Sequence, residues 1–265
     1  MKCEYNKMKN KYEDEEDLLL ARIEDKVQIC YSKNKITYSD FLNEKEQMIV
    51  NKKVKIDNSF WFGGNENFDR KALIIYPKKI SKEIAKTMLK TIFSVIRIEL
   101  PDEHLGEYEH RNYLSALIKI GIDRSKIGDI IVSKNGADIV IFKLNEVYIL
   151  EGLKQLTRFK KSNISIVDIA EVKNKIDSFE ERTIIVPSLR CDNIVSEIAR
   201  CSRKSANDII ESERVLVNYE IVLKPSRKIL IGDKITIRGK GKFIIDENLG
   251  NTKKDNIVLK IKKYV

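Results

Sequence analysis

The segment CSRKSANDIIESERVLVN, residues 201–218, concentrates hydroxyl groups and cations in four successive positions. The first turn of a helix leaves backbone N–H groups unpaired and carries a partial positive charge, so it favours a bound phosphate. Arg203 and Lys204 add two full charges to that turn. Its neutral hydrogen-bonding side chains are Ser202, at the predicted N-cap, Ser205 and Asn207. A capped helix with solvated cations would show the same residues, and the segment alone leaves that alternative open.

Further cations lie on both sides of this segment. They are Arg190, Arg214, Arg238, Lys240 and Lys242, and the glycines of RGKGK would let a backbone approach phosphates closely. Residues 183–265 hold 17 Lys and Arg against 10 Asp and Glu, so +7 of the net charge of +10 falls there. The sequence therefore places an anion-binding function, nucleic acid before membrane surface, at the C-terminal end.

Composition excludes several classes of protein. The chain has 265 residues, of which 34% are charged and 8% aromatic, and this is typical of a globular protein of two or three domains. No apolar run approaches the length of a membrane span, and we expect no membrane association. Four cysteines without a CxxC spacing fit a reducing cytoplasm, with neither disulfides nor zinc: Cys3, Cys30, Cys191 and Cys201.

The two histidines are the residues that most invite a metal or catalytic interpretation. DEHLGEYEH, residues 102–110, joins them to four carboxylates, yet His104 and His110 are six residues apart and do not share a helix face. A polar helix entry is the favoured interpretation. No P-loop, nucleophile elbow or glycine-rich cofactor turn occurs, so the sequence predicts neither an enzyme nor a cofactor.

Two α+β segments precede the cationic one. Residues 1–69 are predicted to form a helical unit with a hairpin, including a helix over TYSDFLNEKEQMI capped by Thr37 or Ser39. Residues 70–181 alternate strands and helices, beginning with the strand KALIIYP, and Asn135-Gly136 predicts a hairpin turn. Two strand–helix–strand units favour a ferredoxin-like, RNA-recognition-like domain. Its aromatic candidates for stacking on bases are Tyr76, Phe93 and Phe142, for which a core role is favoured.

Residues 182–265 are predicted to form the third domain, after the charged stretch DSFEERT, which has no apolar period and is interpreted as a boundary. The domain begins with a short helix over LRCDNIVSEIA. The helix after Ser202 and a strand follow, and then a hairpin around Gly232-Asp233.

This third segment resembles the S4-like RNA-binding domain. The matching residues are Arg190 and Asp192; Ser202, Arg203 and Ala206; Val215, Val217 and Asn218; and Gly232, Asp233 and Ile235. Cys191 stands where the family usually has leucine. Glu213 replaces the usual turn glycine, so we expect the turn to lack a positive-φ residue and to carry a negative charge near the RNA. The resemblance and the charge pattern together predict these RNA-binding residues: Arg190, Ser202, Arg203, Lys204, Ser205, Asn207, Arg214, Asn218, Arg238, Lys240 and Lys242.

Nearly the whole chain resembles the YlmH family of bacterial RNA-binding proteins, through FWFGGNENFDRKALIIYP, EHRNYLSALIKIGIDRSKIGDIIV and the S4-like segment in that order. The resemblance implies a protein that binds structured rRNA of the large ribosomal subunit, with tRNA as a second partner. We expect a cytoplasmic monomer. The resemblance also implies a role in ribosome-associated quality control of stalled peptidyl-tRNA complexes. The alternative is an RNA-modifying enzyme, of the pseudouridine synthase or rRNA methyltransferase type, that uses the S4-like domain as an anchor.

The proposed phosphate site leads to an expectation about stability. Acidic residues in a first helical turn agree with the helix dipole. Replacing both Arg203 and Lys204 with glutamate is therefore expected to weaken RNA binding and to leave the melting temperature unchanged.

Overall fold

The computed structural model of the chain describes residues 2–174 and 179–264, with side chains from residue 15 onward. Packing groups the chain into two compact units, Met1–Lys175 and Ile176–Val265. The further division of the first unit at residue 70 stays a prediction. None of the helices in the described ranges combines the length and apolar content needed to span a bilayer.

The first part of unit 1 is a three-stranded antiparallel sheet with two helices. Its elements are α1 (Lys2–Lys33), β1 (Thr37–Tyr38), α2 (Glu44–Lys53), β2 (Ser59–Phe62) and β3 (Ala72–Ile75), with strand order β1-β3-β2. The strand predicted to open the middle segment is thus the central strand of the N-terminal sheet, which extends beyond residue 69. Sequence periodicity could not show this, because strand pairing between distant segments leaves no local pattern.

Helix α2 begins later than predicted. Thr37 belongs to β1, and the cap is Asn43, whose side chain accepts a hydrogen bond from Glu46 N while the Glu46 side chain accepts one from Asn43 N. This capping box satisfies two backbone N–H groups, whereas a hydroxyl of Thr37 or Ser39 would satisfy only one.

The second part of unit 1 has two short helices followed by a β-α-β-β-α-β sequence of elements. They are α3 (Lys82–Thr87), α4 (Leu89–Ile92), β4 (Phe93–Glu99), α5 (His110–Lys119), β5 (Ile127–Ser133), β6 (Gly136–Phe142), α6 (Glu146–Gln155) and β7 (Asn163–Asp168). The antiparallel sheet has the order β5-β6-β4-β7, and the element sequence is that of a ferredoxin-like unit. The β5–β6 hairpin does form here, but its two turn residues are Lys134 and Asn135, and Gly136 is the first residue of β6, opposite Ser133.

Unit 2 is a six-stranded antiparallel sheet with two helices against it. Its elements are β8 (Phe179–Val186), α7 (Cys191–Ala199), α8 (Arg203–Glu211), β9 (Val215–Val217), β10 (Glu220–Ile221), β11 (Lys234–Ile237), β12 (Gly241–Asn251) and β13 (Ile257–Tyr264), with strand order β10-β9-β11-β12-β13-β8. Side chains of α7 and α8, among them Ile194 and Ile210, form one core with the sheet.

Two sequence-based expectations for unit 2 are corrected. DSFEERT, whose first two residues lie outside the described residues, enters the edge strand β8, where Glu181 pairs with Lys260 of β13 at 3.0 Å. Because charged residues replace the apolar ones at the start of this edge strand, the alternation of apolar and polar residues that predicts a strand is absent there. The hairpin turn joining β11 to β12 lies at Arg238–Lys240, and Gly232-Asp233 precede β11.

Glu213 adopts a φ of +58°, contrary to the expectation that its turn would lack a positive-φ residue. Arg214 N donates to Ile209 O at 3.2 Å and Glu213 N to Ile210 O at 2.9 Å, which is the hydrogen-bond pattern of a Schellman C-cap. The cap requires a left-handed residue whatever its side chain, and a non-glycine residue there costs about 1–2 kcal/mol. Glu213 therefore adopts the left-handed backbone conformation that glycine usually supplies here, and this lowers the stability of the unit.

Candidate nucleic-acid interface

The first turn of α8 forms as predicted. Ser202 is the N-cap, with its hydroxyl accepting a hydrogen bond from Ser205 N at 3.1 Å and lying 2.9 Å from the Ser205 hydroxyl. Ala206 and Ile210 turn into the core and fix the rotation of the helix. The two hydroxyls thus complete the cap, and Lys204 stands exposed beside them.

Asp192 organises the cations around this turn. Its carboxylate, only 1% exposed, accepts from Arg190 Nε and Nη2 at 3.1 and 2.8 Å and from Arg203 Nε and Nη2 at 3.1 and 2.9 Å. The arginine side chains keep 40% and 58% exposure, respectively. One buried carboxylate therefore holds two guanidinium groups at the surface, a cluster that we call the arginine clamp (Arg190, Asp192 and Arg203).

Burial alone would raise the pKa of Asp192. The hydrogen bonds and charges of Arg190 and Arg203 outweigh that effect, and the pKa lies below its ordinary value. The Asp192 carboxylate is therefore ionised at neutral pH and neutralises only part of the charge of its two partners. The clamp carries a net positive charge, which suits a phosphate.

The start of α7 positions this carboxylate. Cys191 N donates to Arg227 O at 2.9 Å and Asp192 N to Pro225 O at 3.0 Å, so loop carbonyls fix the first turn. Cys191 is fully buried, and burial raises the pKa of its thiol to about 12. It packs as a small apolar residue at the position where the S4-like pattern usually has leucine.

Arg214, Arg238 and Lys240 form a second cluster at the β11–β12 turn. Arg214 Nη2 donates to Arg238 O at 3.0 Å, and Arg238 N donates to Arg214 O at 2.9 Å. Gly239 has a φ of +84°, and a Cβ there would lie 3.2 Å from Arg214 Nη2. We call these three cations the hairpin cluster.

Three of the predicted RNA-binding residues form hydrogen bonds within unit 2 or are buried, which the sequence did not indicate. They are Asn218, Lys242 and Asn207. Asn218 Nδ2 donates to Asp233 Oδ1 at 2.7 Å, and Asn218 Oδ1 accepts from Lys234 N at 2.9 Å. These bonds fasten the β9–β10 turn to β11. Asn207 Oδ1 is buried, and the described side chains and backbone offer it no hydrogen bond.

Lys242 lies between two tyrosines that the sequence analysis missed. Its Nζ donates to the Tyr219 hydroxyl at 2.6 Å and lies 4.9 and 5.0 Å from the ring centroids of Tyr219 and Tyr264. Tyr219 has a φ of +67°, in the second position of a two-residue hairpin turn that glycine normally fills. A bulky residue at a glycine position is the signal that could have identified it.

The predicted residues thus divide between the two ends of α8. The arginine clamp and Lys204 lie at its N-terminus, and Arg214 of the hairpin cluster follows its C-terminus. A nine-residue helix separates them by about 14 Å. This spacing suits contacts to several phosphates of one folded RNA.

The candidates for catalysis or for stacking on bases either contact neighbouring side chains or are buried in the core. His104 Nδ1 lies 2.5 Å from Glu107 Oε2, and the described residues contain no group of three or more His, Cys, Asp or Glu that could hold a metal ion. Tyr76, Phe93 and Phe142 are buried in the core of unit 1 and cannot stack on bases. Cys30, Cys191 and Cys201 are free thiols, and Cys3 lies outside the described side chains.

Comparisons with known proteins point to one family. A family profile described as "Putative RNA-binding domain in YlmH" matches residues 91–172, which contain the β4–β7 sheet. The chain is 28% identical over 231 residues to the ribosome-associated protein quality control protein P2 of Bacillus subtilis (strain 168), covering 86% of this chain and 87% of that protein. The solved structure of cell division protein ylmH from Streptococcus pneumoniae matches with a TM-score of 0.45 and 17% identity, over 60% of this chain and 95% of that one.

Proposed function

We propose that the chain is an RNA-binding protein of the YlmH type that acts in ribosome-associated quality control and binds large-subunit rRNA with unit 2. The observation that carries the proposal is the arginine clamp, in which buried Asp192 presents two exposed guanidinium groups beside the N-terminus of α8. The name of the Bacillus relative supports the ribosomal setting.

The clamp would bind phosphate by charge and by geometry. Each arginine uses Nε and Nη2 on Asp192, and Nη1 has no hydrogen-bond partner within the part of the chain that the structure describes. Charge-assisted bonds from such groups to phosphate are stronger than neutral ones, and arginines held in place lose little entropy on binding. Asp192 thus acts as a positioning residue for both arginines.

The hairpin cluster would supply the second contact. Lys240 and Arg238 are exposed on a turn whose glycines leave the backbone open to a neighbouring strand of RNA. Structured rRNA, with tRNA as a further partner, offers phosphates on both sides of a groove at the scale of α8. We propose no catalytic step and no cofactor for the chain.

The double variant Lys204→Glu/Lys240→Glu tests this proposal with one substitution in each region. Both side chains are exposed, so folding should be unaffected, while affinity for a large-subunit rRNA hairpin should fall about tenfold or more. The slope of log affinity against log salt should decrease by roughly 0.9 for each phosphate that is no longer neutralised. Fluorescence anisotropy across a salt series measures both quantities.

The matched control is Lys253→Glu/Lys254→Glu, which makes the same charge change within unit 2. These exposed lysines lie in the β12–β13 turn, separated from the hairpin cluster by the length of β12, about 35 Å. The control should bind like the natural sequence. Equal losses in both double variants would reduce the effect to net charge and contradict the proposed site.

A further inference from the structure

A second cationic surface lies in unit 1, outside the family-matched residues 91–172. A cleft of about 880 Å³ runs along the edge strand β2, the Gly63-Gly64 turn and helix α3. The residues of this cleft that bear on its chemistry are Phe60, Trp61, Glu66, Lys71, Lys82 and Lys86. We call it the β2 cleft.

An aromatic ring is accessible on one wall of the cleft. Phe60 is half-buried, its ring centroid lies 6.0 Å from that of Tyr76, and Lys82 Nζ stands 5.7 Å from the Phe60 centroid. The ring therefore packs against the core of unit 1 on one side, and on the side of the cleft a flexible, exposed lysine lies near it. A planar base could take the place of the ammonium group, because every base offers a π-face to an aromatic ring.

The opposite wall is cationic. Lys82 and Lys86 lie four residues apart on α3 and so project from the same face, and both are exposed. The Lys71 ammonium donates to the Glu66 carbonyl at 2.8 Å, and Glu66 is the one carboxylate among the lining residues that the structure describes. Residues 77–90 contain five lysines and a single acidic residue, Glu83, so the surroundings add positive charge.

The glycines at the end of β2 explain why the cleft is open. A Cβ on Gly63 would lie 2.3 Å from Arg70 O, and Gly64 has a φ of +111°. The backbone turn requires both glycines for its own packing, and the turn consequently presents no side chain that would fill the space. The glycines are structural, and binding depends on Phe60 and the lysines.

We propose that the β2 cleft binds an unpaired segment of RNA, with a base stacked on Phe60 and the flanking phosphates on Lys82 and Lys86. Aromatic stacking beside a cationic groove is the arrangement by which single strands are held without sequence preference. The inference is independent of the arginine clamp, since the cleft lies wholly within unit 1.

Trp61, the single tryptophan of the chain, borders the cleft on β2 while its indole Nε1 donates to Asn51 Oδ1 of α2, so it provides the test as a reporter next to the bound base and not as a stacking partner. Titration of the full chain with a short oligouridylate should change Trp61 fluorescence in a saturable manner. In the variant Lys82→Glu/Lys86→Glu the affinity should fall about tenfold, and the salt slope should decrease by roughly 0.7 for each phosphate released from a lysine. Phe60→Leu, which keeps an apolar side chain, should lose affinity without altering that slope.

Two controls separate this inference from the proposed function. Lys33→Glu/Lys35→Glu reverses two exposed lysines of unit 1 outside the cleft and should bind oligouridylate normally. Lys204→Glu/Lys240→Glu should also retain the Trp61 response, whereas it loses the rRNA hairpin. An absent Trp61 response, or an equal response in Lys82→Glu/Lys86→Glu, would overturn the inference and leave the arginine clamp unaffected.

Discussion

Replacing Arg203 with glutamate is expected to destabilise unit 2 although the side chain lies at the surface. The substitution removes two hydrogen bonds from a carboxylate that is 1% exposed and places a second carboxylate next to it. Breaking a buried ion pair costs about 3–5 kcal/mol, and the 58% exposure of Arg203 reduces the expected loss to about 2–3 kcal/mol. Urea unfolding, together with hydrogen exchange of the α7 and α8 amides, measures it.

Lys204→Glu is the matched control, since it makes the same charge change at the next residue of the same helical turn. Lys204 is exposed, and the free energy of unfolding should change by less than about 0.5 kcal/mol. Similar stability of the two variants would show that Asp192 does not depend on Arg203. The contact with Asp192 revises the expectation that both positions could be reversed without effect on melting, because this partner of Arg203 was not visible in the sequence.

A large loss of stability in unit 1 is expected for Asp138→Ala. Asp138 lies fully buried on β6 opposite Arg97 of β4, with Arg97 Nε and Nη2 donating to its two oxygens at 2.9 and 2.8 Å. Lys173 N donates to the same carboxylate at 2.9 Å. Arg97 is only 19% exposed, so its largely buried charge would lose its hydrogen-bonded counter-ion, at a cost of about 3–5 kcal/mol. Urea unfolding followed through Trp61 reports this unit.

The pH dependence provides the corresponding check. Burial raises the pKa of Asp138, but the bonds from Arg97 and Lys173 outweigh it and the pKa lies below its ordinary value. Stability from this group is therefore fully present above about pH 4 and is lost as pH falls through the lowered pKa. Asp138→Ala should remove that part of the acid sensitivity. A variant with unchanged stability and an unchanged acid midpoint would contradict the assigned role.

Local signals explain which elements could be predicted. The start of α8 carries its own cap, Ser202, and its own apolar period, and both appear at the predicted positions. The strand–helix alternation of residues 93–168 likewise depends on short-range patterns. Pairing between distant segments has no such signal, which is why the sheet that contains β3 and the edge strand β8 were not predicted.

The contacts of the arginine clamp also join segments that are distant in the sequence, and they could not be predicted for the same reason. Arg190 and Arg203 were identified as cations, but their common partner depends on how α7 packs beside α8. A lone acidic residue at the start of the largely buried helix α7 is the sequence signal that could have indicated a buried ion pair. Glu213 failed as a prediction for a related reason, because the Schellman cap imposes a positive φ that glycine would adopt at lower cost.

Co-sedimentation of the full chain with ribosomal subunits, followed by crosslink mapping, shows whether unit 2 binds rRNA of the large subunit. We expect association with the large subunit and rRNA crosslinks from residues 190–205 and 238–242. Association should be lost in Lys204→Glu/Lys240→Glu and kept in Lys253→Glu/Lys254→Glu. Undiminished association of Lys204→Glu/Lys240→Glu, or crosslinks confined to unit 1, would contradict this expectation.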